Sequence, residues 1–300
     1  MNVFLAGGSG TIGIPLVRAL VAAGHQVTAL TRVPAKREML EALGASVAVA
    51  DALDRDALAG AVAAANPTHV IHQLTALPKQ APRRAIDIEA TNRLRIDGTR
   101  NLLQAAIAAH ARRFIVGSFA PLAGSNPATV SDAAAAAVRS MESQVLAATQ
   151  QGLIEGVVLR YGMFYGPGVP STAALVQLMR KRRLPIVHGD RGQLPLIHID
   201  DAVSATVLAL DGAPPASTYE IVDDHPASMT EIVTTVAKCA GSAPPRRVPA
   251  WLPRLVAPYL ARMMAIRMPL SNARAKAELG WEPKYPTVQQ GLAQMFRHAA

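Results

Sequence analysis

The stretch Val3-Phe4-Leu5-Ala6-Gly7-Gly8-Ser9-Gly10-Thr11-Ile12-Gly13 decides the fold of this chain. Its apolar beginning predicts a buried strand, and the helical pattern Ile14–Val21 follows the glycines. Gly7 allows a tight turn, Gly10 lets the backbone approach a ligand, and Gly13 lets the helix pack close to the strand. Free N–H groups and the helix dipole then favour an anion such as a dinucleotide pyrophosphate. The predicted contacts are Gly7, Ser9, Gly10, Thr11, Ile12 and Gly13. An ordinary strand-to-helix turn without a ligand is the alternative.

Composition narrows the class of protein. The chain has 300 residues and a net charge of +9, enough length for a large buried core. Its basic residues are dispersed except for Arg180-Lys181-Arg182-Arg183, and no aromatic residues interleave with them. A solvated helix end therefore explains that run better than nucleic-acid binding. The positive field can also attract a phosphorylated cofactor. The expected partner is a small-molecule substrate, without nucleic acid or membrane.

Cysteine content and hydropathy predict a cytoplasmic protein. Cys239 is the only cysteine, which excludes an intrachain disulfide and a cysteine metal cluster. The first residues already form a core strand, so no signal peptide is expected. No uncharged apolar run reaches the roughly 18 residues of a membrane span. The scattered histidines have no metal-ligand spacing, and no metal site is expected.

Strand and helix patterns alternate along the chain. Strands are predicted at Val3–Ala6, Gln26–Thr31, Ser46–Ala50, His69–Leu74, Arg113–Gly117 and Gly156–Arg160. Helices are predicted over 14–21, 36–43, 54–65, 88–109 and 130–151. This alternation predicts an α/β protein with a Rossmann-type, doubly wound parallel sheet. Residues 1–165, with 196–225 returning to them, form the expected dinucleotide-binding domain. Residues 166–195 and 226–300 form a smaller substrate-binding region, and Asp200 or Asp201 is the expected N-cap of a helix.

Several segments in this order resemble the extended short-chain dehydrogenase/reductase superfamily, which includes the NAD-dependent epimerases and dehydratases. The glycine loop matches that family's motif, and Gly98–Leu103 is similar to its central helix. The remaining matches are Leu159–Gly168, Ile197–Asp201, Glu278–Trp281 and Tyr285-Pro286. The resemblance spans nearly the whole chain and implies a nicotinamide cofactor. It also implies that Leu159–Gly168 passes the nicotinamide.

The end of the second strand favours NADP(H) over NAD(H). An NAD-preferring site carries an acidic residue there, whereas this chain has Thr31-Arg32 followed by Lys36. A guanidinium can bind a 2′-phosphate through two charge-assisted hydrogen bonds. Alternatively, Arg32 and Lys36 are merely solvated. By resemblance, Asp51 lies beside the adenine amine and Ala52 against the ring. The other expected cofactor contacts are Leu74, Thr75, Ala76, Ser118, Tyr161 and Gly162.

The catalytic pair usual in the family is missing from its expected place. Family members carry a Tyr-x-x-x-Lys pair on the helix after the fifth strand, but no Tyr or Lys lies between Phe119 and Arg160. Ser118, Tyr165 and Tyr161 are the remaining candidates for proton transfer. Ser118 could instead satisfy backbone groups at a strand end, and Tyr165 could simply pack. His72 is expected to be a buried, hydrogen-bonded residue rather than a proton donor.

The substrate is expected to be small and fairly apolar. Nucleotide-sugar enzymes of the family carry an Arg shortly before the Ile-His marker, but none follows Arg191 here. The Met-rich segment around Leu260, Met263, Met264 and Met268 could line an apolar pocket or pack in the core. An NADP(H)-dependent oxidoreductase or epimerase/dehydratase-like enzyme is the first hypothesis. A non-catalytic NADP(H)-binding redox sensor is the alternative, followed by a lyase or isomerase that retains its cofactor. The resemblance also suggests a homodimer.

Overall fold

The chain forms two compact units. The computed structural model describes residues 1–77, 85–123, 133–181, 184–187, 192–249, 251, 268 and 270–297. The first unit comprises Met1–Arg160, Val203–Glu220 and Arg274–Trp281. The second comprises Tyr161–Ala202, Ile221–Ala273 and Glu282–Ala300. The assignment of dinucleotide binding to one domain and substrate binding to the other stays a prediction.

A seven-stranded sheet with strand order β3-β2-β1-β4-β5-β6-β10 organises the first unit. The neighbouring pairs from β3 to β5 run parallel. The order reverses between β1 and β4, and ligands of open α/β sheets bind outside the carboxyl ends of the strands at such a point. The predicted Rossmann-type α/β fold is therefore confirmed. The strands are β1 (Asn2–Ala6), β2 (Gln26–Thr31), β3 (Ser46–Val49), β4 (His69–His72), β5 (Arg113–Phe119), β6 (Glu155–Tyr161) and β10 (Ser217–Ile221).

The helices pack apolar stripes against the sheet, whose central strands β1 and β4 are almost entirely buried. Val3–Ala6 of β1 have no solvent exposure, because parallel strands are covered on both faces. Asp54 caps the third helix by accepting the Ala57 N–H at 3.1 Å, and Asn66 ends it in the left-handed conformation. The described helices are α1 (Gly13–Ala22), α2 (Arg37–Glu41), α3 (Arg55–Ala65), α4 (Glu89–Arg93), α5 (Thr99–Ala108), α6 (Ala120–Ala123), α7 (Ala133–Gln150), α8 (Pro170–Arg180), α9 (Ile199–Gly212), α10 (Met229–Cys239), α11 (Ala273–Leu279) and α12 (Val288–Arg297).

The long helix predicted over 88–109 is interrupted. A π-helical segment, Leu94–Gly98, separates α4 from α5. Such an insertion rotates the following helix face, and here Leu94, Arg95 and Gly98 are buried. The helix predicted over 130–151 is α7, and residues 130–132 lie outside the described part. Arg182, Arg183, Leu260 and residues 263–267 of the Met-rich segment also lie outside it.

The second unit has its own core of helices and two short strand pairs. Strand β7 (Met163–Tyr165) pairs in parallel with β9 (Leu196–His198), and β8 (Ile186–Val187) pairs with β11 (Arg247–Val248). Ser228 and Glu231 form a capping box at the start of α10. The prediction that Asp200 or Asp201 is the N-cap is wrong, because α9 already begins at Ile199 and both residues lie in its first turn. The Asp201 carboxylate instead accepts the backbone N–H groups of Lys284 and Tyr285, at 2.8 and 2.9 Å.

Candidate functional site

The glycine loop leaves no room for side chains where it folds back on itself. Gly7 has φ of +93°, a conformation that favours glycine. A Cβ on Gly13 would lie 2.1 Å from the Gly7 carbonyl oxygen. A Cβ on Gly7 would lie 2.7 Å from the carbonyl oxygen of Gln73, which follows β4. The loop is therefore pressed between β1, α1 and the end of β4, at the switch point of the sheet.

A hydroxyl pair ties this loop to the end of β2. Ser9 Oγ lies 3.2 Å from Thr31 Oγ1, and the latter accepts the backbone N–H of Val33 at 3.2 Å. Thr31 is buried. With both hydroxyls engaged, the conformation of the loop is coupled to the turn that carries Arg32.

The start of α1 fits a dinucleotide pyrophosphate. Its N-cap, Ile12, provides no side-chain cap, and the first turn, fully described, contains no acidic residue. Gly10 and Thr11 are exposed beside these backbone N–H groups. Uncapped N–H groups and the positive end of the helix dipole suit an anion, and no local carboxylate opposes it.

The other predicted cofactor contacts of the first unit lie at the carboxyl ends of neighbouring strands. Arg32 and Lys36 are exposed after β2. After β3, Asp51 accepts the Leu53 N–H at 2.9 Å, and Asn101 donates to the Ala52 carbonyl at 3.0 Å. The segment after β4 contains Leu74, Thr75 and Ala76, the last held by the Thr91 hydroxyl at 3.1 Å. The fold thus gathers these residues at one edge of the sheet, and their contacts with the cofactor stay predictions.

His72, at the end of β4, is buried and hydrogen-bonded, as predicted. Its Nδ1 accepts the Leu74 N–H at 3.1 Å, so its Nε2 carries the hydrogen donated to Thr99 Oγ1 at 2.9 Å. Burial, with a smaller effect of the Arg95 charge, lowers the pKa of His72 to about 4. The neutral ring therefore fixes the start of the segment that contains Leu74–Ala76.

Ser118, at the end of β5, is bound by a buried carboxylate. Its Oγ donates to Glu142 Oε1 at 2.5 Å. Arg160 donates to both Glu142 oxygens, through Nε at 2.9 Å and a terminal nitrogen at 2.7 Å. Ser118 and Glu142 are 6% and 5% exposed. The result is a Ser118–Glu142–Arg160 network that joins β5, α7 and β6.

The face of α7 that carries Glu142 has no phenol or amine. Val138 and Ala134 precede Glu142 by one and two helical turns, with the four-residue spacing of the family's catalytic pair, and both are buried. Of the five tyrosines in the chain, none is followed four residues later by a lysine. The buried positions of α7 that precede Glu142 by one and two turns are therefore apolar.

The remaining predicted residues belong to the second unit. Tyr161 stacks on Phe164 with ring centroids 5.3 Å apart, and the Gly162 N–H binds the Ile221 carbonyl at 3.0 Å. Tyr165 is buried, and its hydroxyl donates to Asp223 Oδ2 at 2.8 Å. Burial first, and then the Asp223 charge, raise the pKa of Tyr165 far above its usual value. This geometry favours packing for Tyr165, and its catalytic role stays a prediction that Tyr165→Phe can test.

Asp223 should make the stability of the protein depend on pH. Burial raises its pKa to about 7, against hydrogen bonds from Tyr165 and the His198 backbone that lower it. The folded state therefore binds more protons at Asp223 than the unfolded state, and this contribution to stability is lost as pH rises from about 4 through 7. His198 has the opposite sign, because burial lowers its pKa to about 4. We therefore expect the free energy of unfolding of Asp223→Asn, relative to that of wild type, to be higher at pH 8 than at pH 5.

Urea unfolding at both pH values measures this difference. Asp56→Asn removes an exposed carboxylate as the matched control and should leave the difference unchanged. An equal effect of Asp223→Asn at pH 5 and 8 would contradict the assignment.

Sequence reasoning missed Glu142 and Asp223. A signal for Glu142 existed, since it is the only acidic residue in a helix whose buried positions are otherwise Ala, Val and Met. Arg160 in the neighbouring strand is its natural partner. Asp223 has no such local signal, because its hydrogen bonds come from Tyr165 and His198, 58 and 25 residues away.

A family model agrees with this geometry. The model of the NAD dependent epimerase/dehydratase family matches residues 3–221, from β1 through β10. This chain belongs to that family. It is accordingly an NAD(P)-dependent enzyme of the oxidoreductase type, and its cofactor is a nicotinamide dinucleotide.

Several named relatives of this family member are reductases. A 3-diazoavenalumate denitrifying reductase from Streptomyces sp is 37% identical over 97% of this chain and 99% of its own length. A ketoreductase from Stigmatella aurantiaca, acting on a farnesylated dihydroquinoline oxide, is 28% identical over 97% of this chain and 95% of its own. The UDP-glucose 4-epimerase of Thermus thermophilus in complex with NAD superposes with a TM-score of 0.79, covering 99% and 98% of the two chains at 24% identity. At that identity the likeness supports the fold. Within the described residues, no helix has the length and apolar character needed to cross a bilayer.

Proposed function

We propose that this protein is an NADP(H)-dependent reductase that transfers a hydride to a small aryl diazonium substrate, with loss of dinitrogen. One observation carries the proposal. Ser118 commits its hydroxyl hydrogen to Glu142, and the adjacent face of α7 presents Val138 and Ala134. At the place on α7 where the family usually carries its proton donors, this chain therefore has groups that have no proton to give.

The chemistry of the proposed step needs no proton. Reduced nicotinamide, when bound, supplies a hydride. A carbon that bears a diazonium group gains this hydride, its C–N bond breaks, and dinitrogen leaves with the bonding electron pair. The atoms and charges then balance as R–N₂⁺ + H⁻ → R–H + N₂. Reduction of a ketone, in contrast, develops an oxyanion that must be protonated, and a Tyr–Lys pair serves that purpose.

The residues of the chain supply binding and environment for this step. The glycine loop and the start of α1 would hold the pyrophosphate. The buried Val138 and Ala134 would exclude water beside the reacting carbon and so limit hydrolysis of a reactive substrate. The substrate class is further supported by the diazo reductase, which matches this chain over nearly the full length of both proteins.

Isotopic labelling tests the proposed function. The protein is mixed anaerobically with an aryl diazonium carboxylate and NADPH deuterated at C4 of the nicotinamide. We expect one NADPH oxidised for each dinitrogen released, with deuterium on the product carbon by mass spectrometry. A reaction without protein measures any spontaneous reduction. Turnover of ketones but not of the diazonium would refute the proposal. Tight NADP⁺ binding without any turnover would instead support the redox-sensor hypothesis.

Arg32 is proposed to select NADP(H). A hydrogen bond to a charged group contributes about 1.5–3 kcal/mol, so Arg32→Ala should raise the KM for NADPH by about 10- to 100-fold. The KM for NADH should change little, because the 2′-hydroxyl carries no charge. Steady-state kinetics with both cofactors measures the ratio, and Arg18→Ala, an exposed position on α1, is the matched control. An unchanged preference in Arg32→Ala would mean that Arg32 is merely solvated.

Other expectations remain predictions. Roles for Tyr161 and Gly162 at the nicotinamide can be tested by Tyr161→Phe and by a structure with bound cofactor. A homodimer can be tested by sedimentation equilibrium, and the cytoplasmic location by fractionation of the source cells.

A further inference from the structure

We propose that Glu142 fixes Ser118 as a hydrogen-bond acceptor, which makes the site selective for cationic or hydrogen-donating electrophiles over those that develop an oxyanion. This inference rests on the proposed function and names the property by which the same site would choose its substrate. Ser118 is the specificity-determining residue, and Glu142 is a positioning residue that acts through it.

The direction of the Ser118 hydrogen bond follows from the partners of Glu142. An ionised carboxylate accepts hydrogen bonds and cannot donate them. Arg160 donates to both of its oxygens, a paired geometry that requires the ionised form. The shared hydrogen at the 2.5 Å contact therefore comes from Ser118.

The surroundings reinforce this direction. Glu142 is buried, so water cannot readily replace Ser118 as its donor. The pKa of Arg160 is raised chiefly by its hydrogen bonds to Glu142, with a further contribution from the Glu220 charge. The guanidinium therefore remains charged and holds the carboxylate in place. Rotating the Ser118 hydroxyl away would leave a buried carboxylate oxygen with one fewer donor, which is costly.

A serine in this state has only lone pairs to offer to any other group. The serine oxygen can accept a hydrogen bond from a substrate. It can also lie against the positive charge on the nitrogen atoms of a substrate. It cannot donate to an oxygen that becomes negative during hydride transfer. Val138 and Ala134, on the same face of α7 as Glu142, provide few competing dipoles. Weak screening strengthens both the attraction of the serine oxygen for a cation and its repulsion of a developing oxyanion.

Glu142→Gln tests this mechanism, because it preserves shape while reversing the hydrogen bond. When the glutamine oxygen stays on the terminal nitrogen of Arg160, the NH₂ group takes the place of Oε1. It then loses the hydrogen bond from Arg160 Nε and donates to Ser118, which frees the serine hydrogen. The measured quantity is the ratio of kcat/KM for an aryl diazonium to kcat/KM for an aryl ketone of the same skeleton. We expect the ratio to fall about 10- to 100-fold in Glu142→Gln, mainly through kcat. Glu142→Asp, which retains the carboxylate, should stay close to wild type, and Ser118→Ala should lose diazonium activity without gaining ketone activity.

A binding measurement separates this inference from the proposed function. The protein loaded with NADP⁺ is titrated with benzamidine, a cationic hydrogen donor, and with benzoate, an anion of similar size. Wild type should bind benzamidine more tightly, and Glu142→Gln should lose or reverse this preference. Diazonium turnover with an unchanged ratio and unchanged probe preference in Glu142→Gln would overturn the inference and leave the proposed function standing. No diazonium turnover with a shifted probe preference would overturn the proposed function and support the inference.

Discussion

Gly13→Ala is expected to abolish dinucleotide binding. The added Cβ would lie 2.1 Å from the Gly7 carbonyl oxygen and 2.7 Å from the Gly8 carbonyl carbon and oxygen. These atoms are backbone and cannot rotate away, so the loop must separate from α1. A displacement of about 1 Å at a positioning element costs about 100-fold in activity, and here it acts on the pyrophosphate site itself. Isothermal titration with NADP⁺ should show at least this loss in affinity.

Two further glycines make the result interpretable. Gly60→Ala lies in the middle of α3 with no atom within 4 Å of the added Cβ, so it should keep normal affinity and be slightly more stable. Gly10→Ala meets only the Gly7 carbonyl oxygen, at 3.2 Å, and should fold even if Gly13→Ala does not. We expect Gly10→Ala to weaken NADP⁺ binding, because its methyl group occupies the space through which the backbone approaches the phosphates. Normal affinity in both loop variants would place the cofactor elsewhere.

Arg113→Met is expected to cause a large loss of stability. Arg113 is buried at the start of β5 and donates to the carbonyls of Ala209 and Leu210, at 3.0 and 2.8 Å, near the end of α9. It also donates to Glu155 Oε2 at 2.8 Å. Methionine fills much of the volume but leaves these acceptors without their donor. Breaking a buried charged network in this way costs about 3–5 kcal/mol.

The neighbouring residue is the matched control. Arg112 also pairs with Glu155, at 3.3 Å, but its side chain is 58% exposed. Arg112→Met should therefore cost about 0–1 kcal/mol. Urea unfolding of the two variants measures the difference. Equal losses of unfolding free energy in the two variants would contradict the assignment, because they would show that the hydrogen bonds to the Ala209 and Leu210 carbonyls contribute nothing extra.

The amphipathic patterns and glycines of the first unit predicted the sheet and the family correctly. The helix over 88–109 was predicted without its π-helical interruption, because apolar periodicity reports a buried face and not one inserted residue. The expected cofactor residues of the first unit lie together because strand ends in a parallel sheet meet at one edge, and their contacts with the cofactor stay predictions. The direction of the Ser118 hydrogen bond could not be predicted from the sequence, since it depends on Glu142, 24 residues away.

The sequence by itself determined that a glycine loop begins a dinucleotide-binding sheet and that no tyrosine or lysine follows β5 in the usual place. These are local properties, because they depend on the backbone freedom of glycine and on whether a tyrosine or lysine is present in a segment. The tertiary structure decided what the remaining polar groups do. Burial and the meeting of β5, α7 and β6 turned Ser118 into a donor to Glu142, and burial beside Asp223 placed the Tyr165 hydroxyl in a packed network. Hydrogen-bond direction and pKa depend on neighbours that only folding brings together.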